Sequence, residues 1–170
     1  MNYLVRSART GDVRSIRALV DANVASGRLL DKATVTLYED VQEFLVADRV
    51  SDGQVIGCGA LHVMWEDLAE IRTITVDESC QREGVGQLIV KALLARAREL
   101  GVRRVFVLTF AVKFFGRLGF EEISGTAASP EVYAELLRSY DEGVAEFLDL
   151  DRSGTPARAS RPAGRQLRLL

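Results

Sequence analysis

Three apolar runs follow one another between residues 43 and 76, with almost nothing between them. They cover residues 43–48, 55–65 and 70–76, and the last is rich in β-branched side chains. Asp52-Gly53 separates the first two, and Glu66-Asp67 separates the second from the third. Links this short cannot carry a crossover, so the three runs must be antiparallel neighbours in a meander, and Asp-Gly is a strong hairpin signal. A chain of 170 residues with 48% hydrophobic and 27% charged residues builds one folded domain around such a core.

Helical spacing flanks the meander. Residues 3–8 read as a strand. Thr10 and Asp12 offer capping chemistry before Val13, Ile16, Leu19 and Val20, which recur on one helical face. Residues 28–32 form a loop. Thr34 caps a second short helix with Val35, Tyr38 and Val41 along one side. After the polar residues 77–83, a helix opens at Gly84, carries Val85, Leu88, Ile89, Ala92, Leu93 and Leu100 in a stripe, and stops at Gly101. Residues 104–109 suit a strand buried on both faces. A short helix over 110–118 and a strand over 120–123 follow. Ser129-Pro130 starts another helix, continued by Val132, Leu136 and Tyr140. Phe147, Leu148 and Leu150 form one more apolar cluster. The expected class is α/β, a mixed sheet of six to seven strands flanked by helices. Its domain is placed at 1–150 and a tail at 151–170. That tail is flexible over 152–164 and returns as an edge strand over 166–170.

Composition removes several functions. A net charge of −2 gives no global basic field for nucleic acid or an anionic membrane. Cys58 and Cys80 form no CxxC pair and His62 is the single histidine, so no zinc or other metal site is expected. No apolar run approaches the ~20 residues of a membrane span. Met1 leads into a polar, Arg-containing stretch rather than a signal peptide, and a cytoplasmic setting is expected.

The informative motif is Gln81-Arg82-Glu83-Gly84-Val85-Gly86. It follows a strand and opens an amphipathic helix. A helix start presents unpaired backbone N–H groups and the positive end of a dipole, and glycine lets a phosphate come close. Arg82 adds a fixed positive charge. The segment matches neither GxxxxGK[ST] nor GxGxxG.

The order of elements resembles the GCN5-related N-acetyltransferases, through residues 71–76, Gln81 to Gly86, residues 105–109 and Phe114-Phe115-Gly116-Arg117-Leu118-Gly119-Phe120. The resemblance covers roughly residues 3–125. A closer likeness joins residues 27–32, 38–44, 57–61, Glu70-Ile71-Arg72 and Val107-Leu108-Thr109 to the short N-acetylglutamate synthases of arginine biosynthesis. It implies acetyl-CoA as donor and an amino acid, glutamate or glutamine, as acceptor. The sheet would splay at the acetyl-CoA site. The pyrophosphate would lie on Gln81, Arg82, Glu83, Gly84, Val85 and Gly86. The pantetheine arm would run along Ile74, Thr75 and Val76, where backbone donors meet the thioester oxygen. A homodimer is a family expectation. Another small amine or peptide N-terminus as acceptor, or a silent acyl-CoA sensor, stands as the alternative.

Glu70 starts the strand that would hold the thioester and alternates onto one face with Arg72, Ile74 and Val76. It can take the ammonium proton through water, anchor the ammonium, or pair with Arg72. Arg72 can hold a substrate carboxylate with paired donors, or be a surface arginine at a strand end. Lys32 is placed where the family builds its acceptor site, and Lys113 near the thiol end of the donor; each has a solvated-lysine alternative. Many family members carry a tyrosine as acid for the thiolate, four residues before the last glycine of the Gly-Phe motif. Here that position is Phe115, so the acid is open to Tyr140 or water. His62 reads as a hydrogen-bonded structural residue, and both cysteines as packing.

Overall fold

The computed structural model describes residues 2–25, 32–138 and 165–169, with side chains undescribed at 136–138 and 165–169. The expected flexible segment over 152–164, the cluster Phe147, Leu148 and Leu150, and Tyr140 lie outside those residues. The strands are β1 (Tyr3–Ser7), β2 (Phe44–Arg49), β3 (Val55–Trp65), β4 (Leu68–Val76), β5 (Arg104–Thr109), β6 (Glu121–Glu122) and β7 (Arg165–Leu169). The helices are α1 (Val13–Val24), α2 (Thr34–Glu39), α3 (Val85–Glu99), α4 (Val112–Gly116) and α5 (Pro130–Arg138). They sort into two compact units, Met1–His62 with Ile71–Gly101, and Val63–Glu70 with Val102–Leu170.

In the first unit the strands run in the order β1-β2-β3-β4. β1 and β2 are antiparallel, with Tyr3 opposite Arg49 and Ser7 opposite Leu45. β2 and β3 are also antiparallel, with an irregularity at Ala47/Asp48. Their turn is the expected one: Gly53 takes φ +68° and its N–H donates to Arg49 O at 2.8 Å. Side chains on β2 and β3 alternate between two helical layers. Phe44, Val46, Cys58 and Ala60 pack with Val13, Ile16, Leu19 and Val20 of α1 and Leu37 of α2. On the other face β3 presents Gly57 and Gly59. A Cβ at Gly59 would stand 2.9 Å from Ile89 and 3.1 Å from Leu93 of α3. The two glycines therefore let α3 lie close on the sheet. Arg6 ties the layers together, donating to Asp12 at 2.7 Å and to Asp48 at 2.6 Å. Its hydrogen bond holds the Asp12 carboxyl below the usual range.

Several local expectations need correction. Ala33, not Thr34, precedes α2, and that helix buries Leu37 while Val35 and Tyr38 are exposed. Six residues are too few for a full apolar face, so one side chain anchors the helix. On α3 the buried side chains are Val85, Ile89, Val90, Leu93, Leu94 and Ala97, whereas Leu88 and Leu100 face solvent. Gly101 ends that stretch at φ +84°, as its position predicts.

In the second unit the ends of β3 and β4 are followed across the sheet by β5, β7 and β6. Val105, Phe106 and Val107 are buried, as a strand covered on both faces requires. The chain terminus was expected to form an edge strand. Instead β7 pairs with β5 (Val105 opposite Leu169) and with β6 (Glu121 opposite Arg168), so β6 takes the edge. A two-residue strand with two glutamates suits an edge, because it offers little to a foreign strand. Met64, Leu68, Phe106, Ala127, Ala128 and Val132 form this unit's core. Ser129 caps α5, its hydroxyl accepting from Val132 N–H at 3.4 Å ahead of Pro130 in the first turn.

Candidate active site

The first element of the site is a break in β4. Thr73 adopts φ +54°, a left-handed conformation that is a genuine outlier for a β-branched residue. Regular alternation fails there. Ile74 points to the α3 side, where its Cδ1 sits against Gly59. Thr75 points to the α1 side, where its hydroxyl accepts from the Asn23 amide. The expected common face for Glu70, Arg72, Ile74 and Val76 is therefore wrong beyond Arg72. The extra residue of a bulge shifts every later side chain to the opposite face. Nothing in Thr73-Ile74-Thr75 marks the break, because all three are good strand residues.

The second element is the turn into α3. Arg82 takes φ +68° and Gly84, the residue before the helix, φ +85°. The first helical bond runs from Leu88 N–H to Gly84 O at 3.1 Å. The N–H groups of Val85, Gly86 and Gln87 thus have no acceptor within the helix, which is the arrangement an anionic phosphate needs. Gln81, Arg82, Glu83 and Gly84 are exposed, and no side chain covers the space a Gly84 Cβ would take. This geometry fits the pyrophosphate of an acyl-CoA donor. The Glu83 carboxylate, adverse to such a ligand, accepts from the Tyr3 hydroxyl, a contact from β1 that sequence reading missed. That contact raises the Tyr3 pKa.

The third element is a charged group on the α1–α2 side of the first unit. Lys32 Nζ lies 3.9 Å from Asp40 Oδ2, and His62 Nδ1 lies 2.8 Å from Glu43 Oε1. Burial and the neighbouring Glu43 raise the Asp40 pKa, while Lys32, His62 and Arg72 draw it down. Lys32, from its loop, thus pairs with the Asp40 carboxylate, and the charge of Arg72 on β4 acts on the same group. Asp40 and Glu43 are the ion-pair partners of Lys32 and His62 that sequence reading missed, since neither has a motif around it. His62 is hydrogen-bonded, as expected.

Glu70 is 6% exposed, an uncommon setting for a carboxylate in a strand. Two residues apart on β4 and ahead of the bulge, Glu70 and Arg72 share a face. In the second unit Lys113 is exposed on α4. Phe115 is 3% exposed and packs edge-on against Phe114 and Phe120, with ring centroids 5.0 and 5.3 Å away. That position holds packing and no proton donor. Cys58 is fully buried, and burial pushes its thiol up to about 12, so it is no nucleophile. Among the described residues no group of His, Cys, Asp and Glu can hold a metal, and no helix is long and apolar enough to cross a membrane.

A strained break in a strand and a helix start turned for an anion agree with the α/β acyl-CoA transferase that the sequence resemblance implies. The model of the acetyltransferase (GNAT) family matches residues 20–120, and the chain belongs to that family. It is an acetyltransferase whose donor is acetyl-CoA. It is 57% identical to an amino-acid acetyltransferase of Mycobacterium tuberculosis over 86% of this chain and 84% of that one. An uncharacterized N-acetyltransferase of Chlorobaculum tepidum is 39% identical over 70% of this chain and 76% of its own length. A Mycobacterium tuberculosis protein solved with CoA and NLQ superposes with a TM-score of 0.87 at 51% identity, covering 98% of both chains. The N-acetylglutamate synthase of Neisseria gonorrhoeae, solved with CoA and N-acetyl-glutamate, shares the fold at a TM-score of 0.75 and 23% identity. The match covers 99% of this chain and 35% of that one.

Proposed function

We propose that the chain transfers the acetyl group of acetyl-CoA to the α-amine of an amino acid, L-glutamate or its amide glutamine, the first step of arginine biosynthesis. The observation that carries this reading is the pairing of Lys32 with Asp40, 3.9 Å apart, at a carboxylate on which the Arg72 charge also acts. Two cations held on one side of the bulged strand suit an acceptor with a carboxylate, and the counter-charges Asp40 and Glu43 keep them from filling the site with any anion. The Mycobacterium tuberculosis relative named amino-acid acetyltransferase supports the same acceptor class.

In this reading the donor's pyrophosphate rests on the turn from Gln81 to Gly86. The pantetheine arm lies along Ile74, Thr75 and Val76. Glu70, directly or through a water, takes a proton from the substrate ammonium. The amine nitrogen attacks the thioester carbon, and backbone donors at the β4 bulge hold the oxygen as it gains negative charge. The C–S bond then breaks, the nitrogen gives its second proton to solvent as the amide forms, and the thiolate leaves with a proton from solvent, since Phe115 supplies none. Lys32 and Arg72 grip the acceptor's carboxylates, with Lys113 a third cation assigned on resemblance. The test is thiol release from acetyl-CoA against each common amino acid. Release with glutamate or glutamine is expected. Silence across the panel from a protein that binds CoA would overturn the amino-acid acceptor and move it to another small amine or a peptide N-terminus.

A further inference from the structure

We propose that Cys58 and Asn23 are positioning residues that hold the β4 bulge in the shape that meets the reacting thioester. The inference rests on the acetyl-transfer reading above and concerns residues to which that reading gives no task.

Thr73 is strained, and a strained backbone persists only where its surroundings over-determine it. Two polar contacts from the α1 side bracket the strained segment. The Cys58 thiol, fully buried on β3, donates to the Thr73 carbonyl at 3.8 Å. One residue past Ile74, the buried Thr75 hydroxyl accepts from the Asn23 amide, and that amide also donates to Leu19 O at 2.9 Å. Asn23 is thereby anchored on α1 while it holds Thr75. In a trans peptide the carbonyl and the next N–H point in opposite directions. Drawing the Thr73 carbonyl toward Cys58 therefore fixes where the Ile74 N–H points. Holding Thr75 on the α1 side keeps Ile74 turned to α3. A protonated thiol is required for this, and burial keeps Cys58 in that state. An aliphatic residue of similar size at position 58 would fill the core equally well but leave the carbonyl unheld.

The test uses the full chain with Cys58→Ala, Cys58→Ser and Asn23→Leu, the last removing the donor to Thr75 at nearly constant size. Calorimetry gives the Kd for CoA and for acetyl-CoA, and thiol release gives kcat and KM for the acceptor. Losing one modest hydrogen bond should lower kcat about threefold to tenfold in Cys58→Ala and in Asn23→Leu, with the Kd for CoA unchanged. Cys58→Ser, which keeps a donor on that side chain, should recover most of the loss. Parental kcat in both Cys58→Ala and Asn23→Leu overturns the proposal. So does an equal loss in the alanine and serine variants, or a parallel loss of CoA affinity, since either marks a packing role. If Cys58→Ala does not fold, Asn23→Leu decides. A parent that releases no thiol with any amino acid refutes the amino-acid reading instead. The clamp is then judged on affinity: a weaker acetyl-CoA Kd at constant CoA Kd in Asn23→Leu upholds it, and an unchanged ratio overturns it.

Discussion

Replacing Gly84 with alanine separates the cost of backbone conformation from the cost of crowding. A Cβ at Gly84 would meet no atom within 4 Å, so the free protein loses no packing. The whole penalty comes from φ +85°, which an L side chain tolerates poorly. Left-handed backbone costs a non-glycine residue about 1–2 kcal/mol. For a domain of this size 1 kcal/mol moves the melting temperature by about 2–4 °C, so Gly84→Ala should melt about 2–8 °C lower. Gly116 is the control, since its Cβ also meets open space and its φ is ordinary. There the same change restricts only the unfolded chain and should stabilise by about 0.4–1 kcal/mol. The two variants add one methyl each and should move stability in opposite directions. Titration with CoA supplies the second readout. The Gly84 methyl projects from the exposed turn where the pyrophosphate is placed, so affinity should fall beyond what lost stability explains. Parental melting and parental CoA affinity in Gly84→Ala would refute both the strain and the cradle.

Glu70→Gln should lower kcat by about 10²–10⁴-fold at neutral pH, and by less at alkaline pH, if the carboxylate takes the ammonium proton. A pH–rate profile with a raised KM and no alkaline rescue would leave Glu70 an anchor. Arg72→Ala should cut kcat/KM for the acceptor about 10–150-fold while the CoA Kd holds, because a lost charged hydrogen bond costs about 1.5–3 kcal/mol. Equal loss of CoA affinity would move the carboxylate contact to Lys32. Asp12, whose pKa is lowered in the folded state mainly by the hydrogen bond from Arg6, stabilises the fold above the ordinary aspartate pKa. That contribution disappears as pH falls through the folded pKa, so Asp12→Asn should be destabilising at neutral pH and neutral in strong acid, as denaturation at the two pH values will show. Asp40 runs the other way, its pKa raised first by burial. Asp40→Asn should therefore gain stability at neutral pH, an advantage that vanishes below the ordinary aspartate pKa, and should loosen Lys32 enough to raise the acceptor KM.

Periodicity and turn chemistry alone determined the meander of β2, β3 and β4, the helix opening at Gly84 and the buried centre of β5. These signals are local: Asp52-Gly53 makes its own turn, and the stripe through Val85, Ile89 and Leu93 commits a helix wherever it packs. Glu70, Arg72 and the Gln81–Gly86 turn stand out as candidates for the same reason, each being an unusual residue or spacing within its own element. Only the tertiary structure decided the rest. Thr73 reads as ordinary strand because its left-handed backbone is imposed by neighbours, and the bulge reverses the faces of Ile74 and Thr75. Asp40 gains its place beside Lys32 only when α2 comes to rest in the first unit. Tyr3 reaches Glu83, and Asn23 reaches Thr75, across 80 and 52 residues. β7 lies inside the sheet rather than at its edge because pairing partners are chosen by the strands already formed. Contacts at such sequence distance leave no periodic trace, since they depend on where whole elements come to rest and not on what precedes or follows each residue.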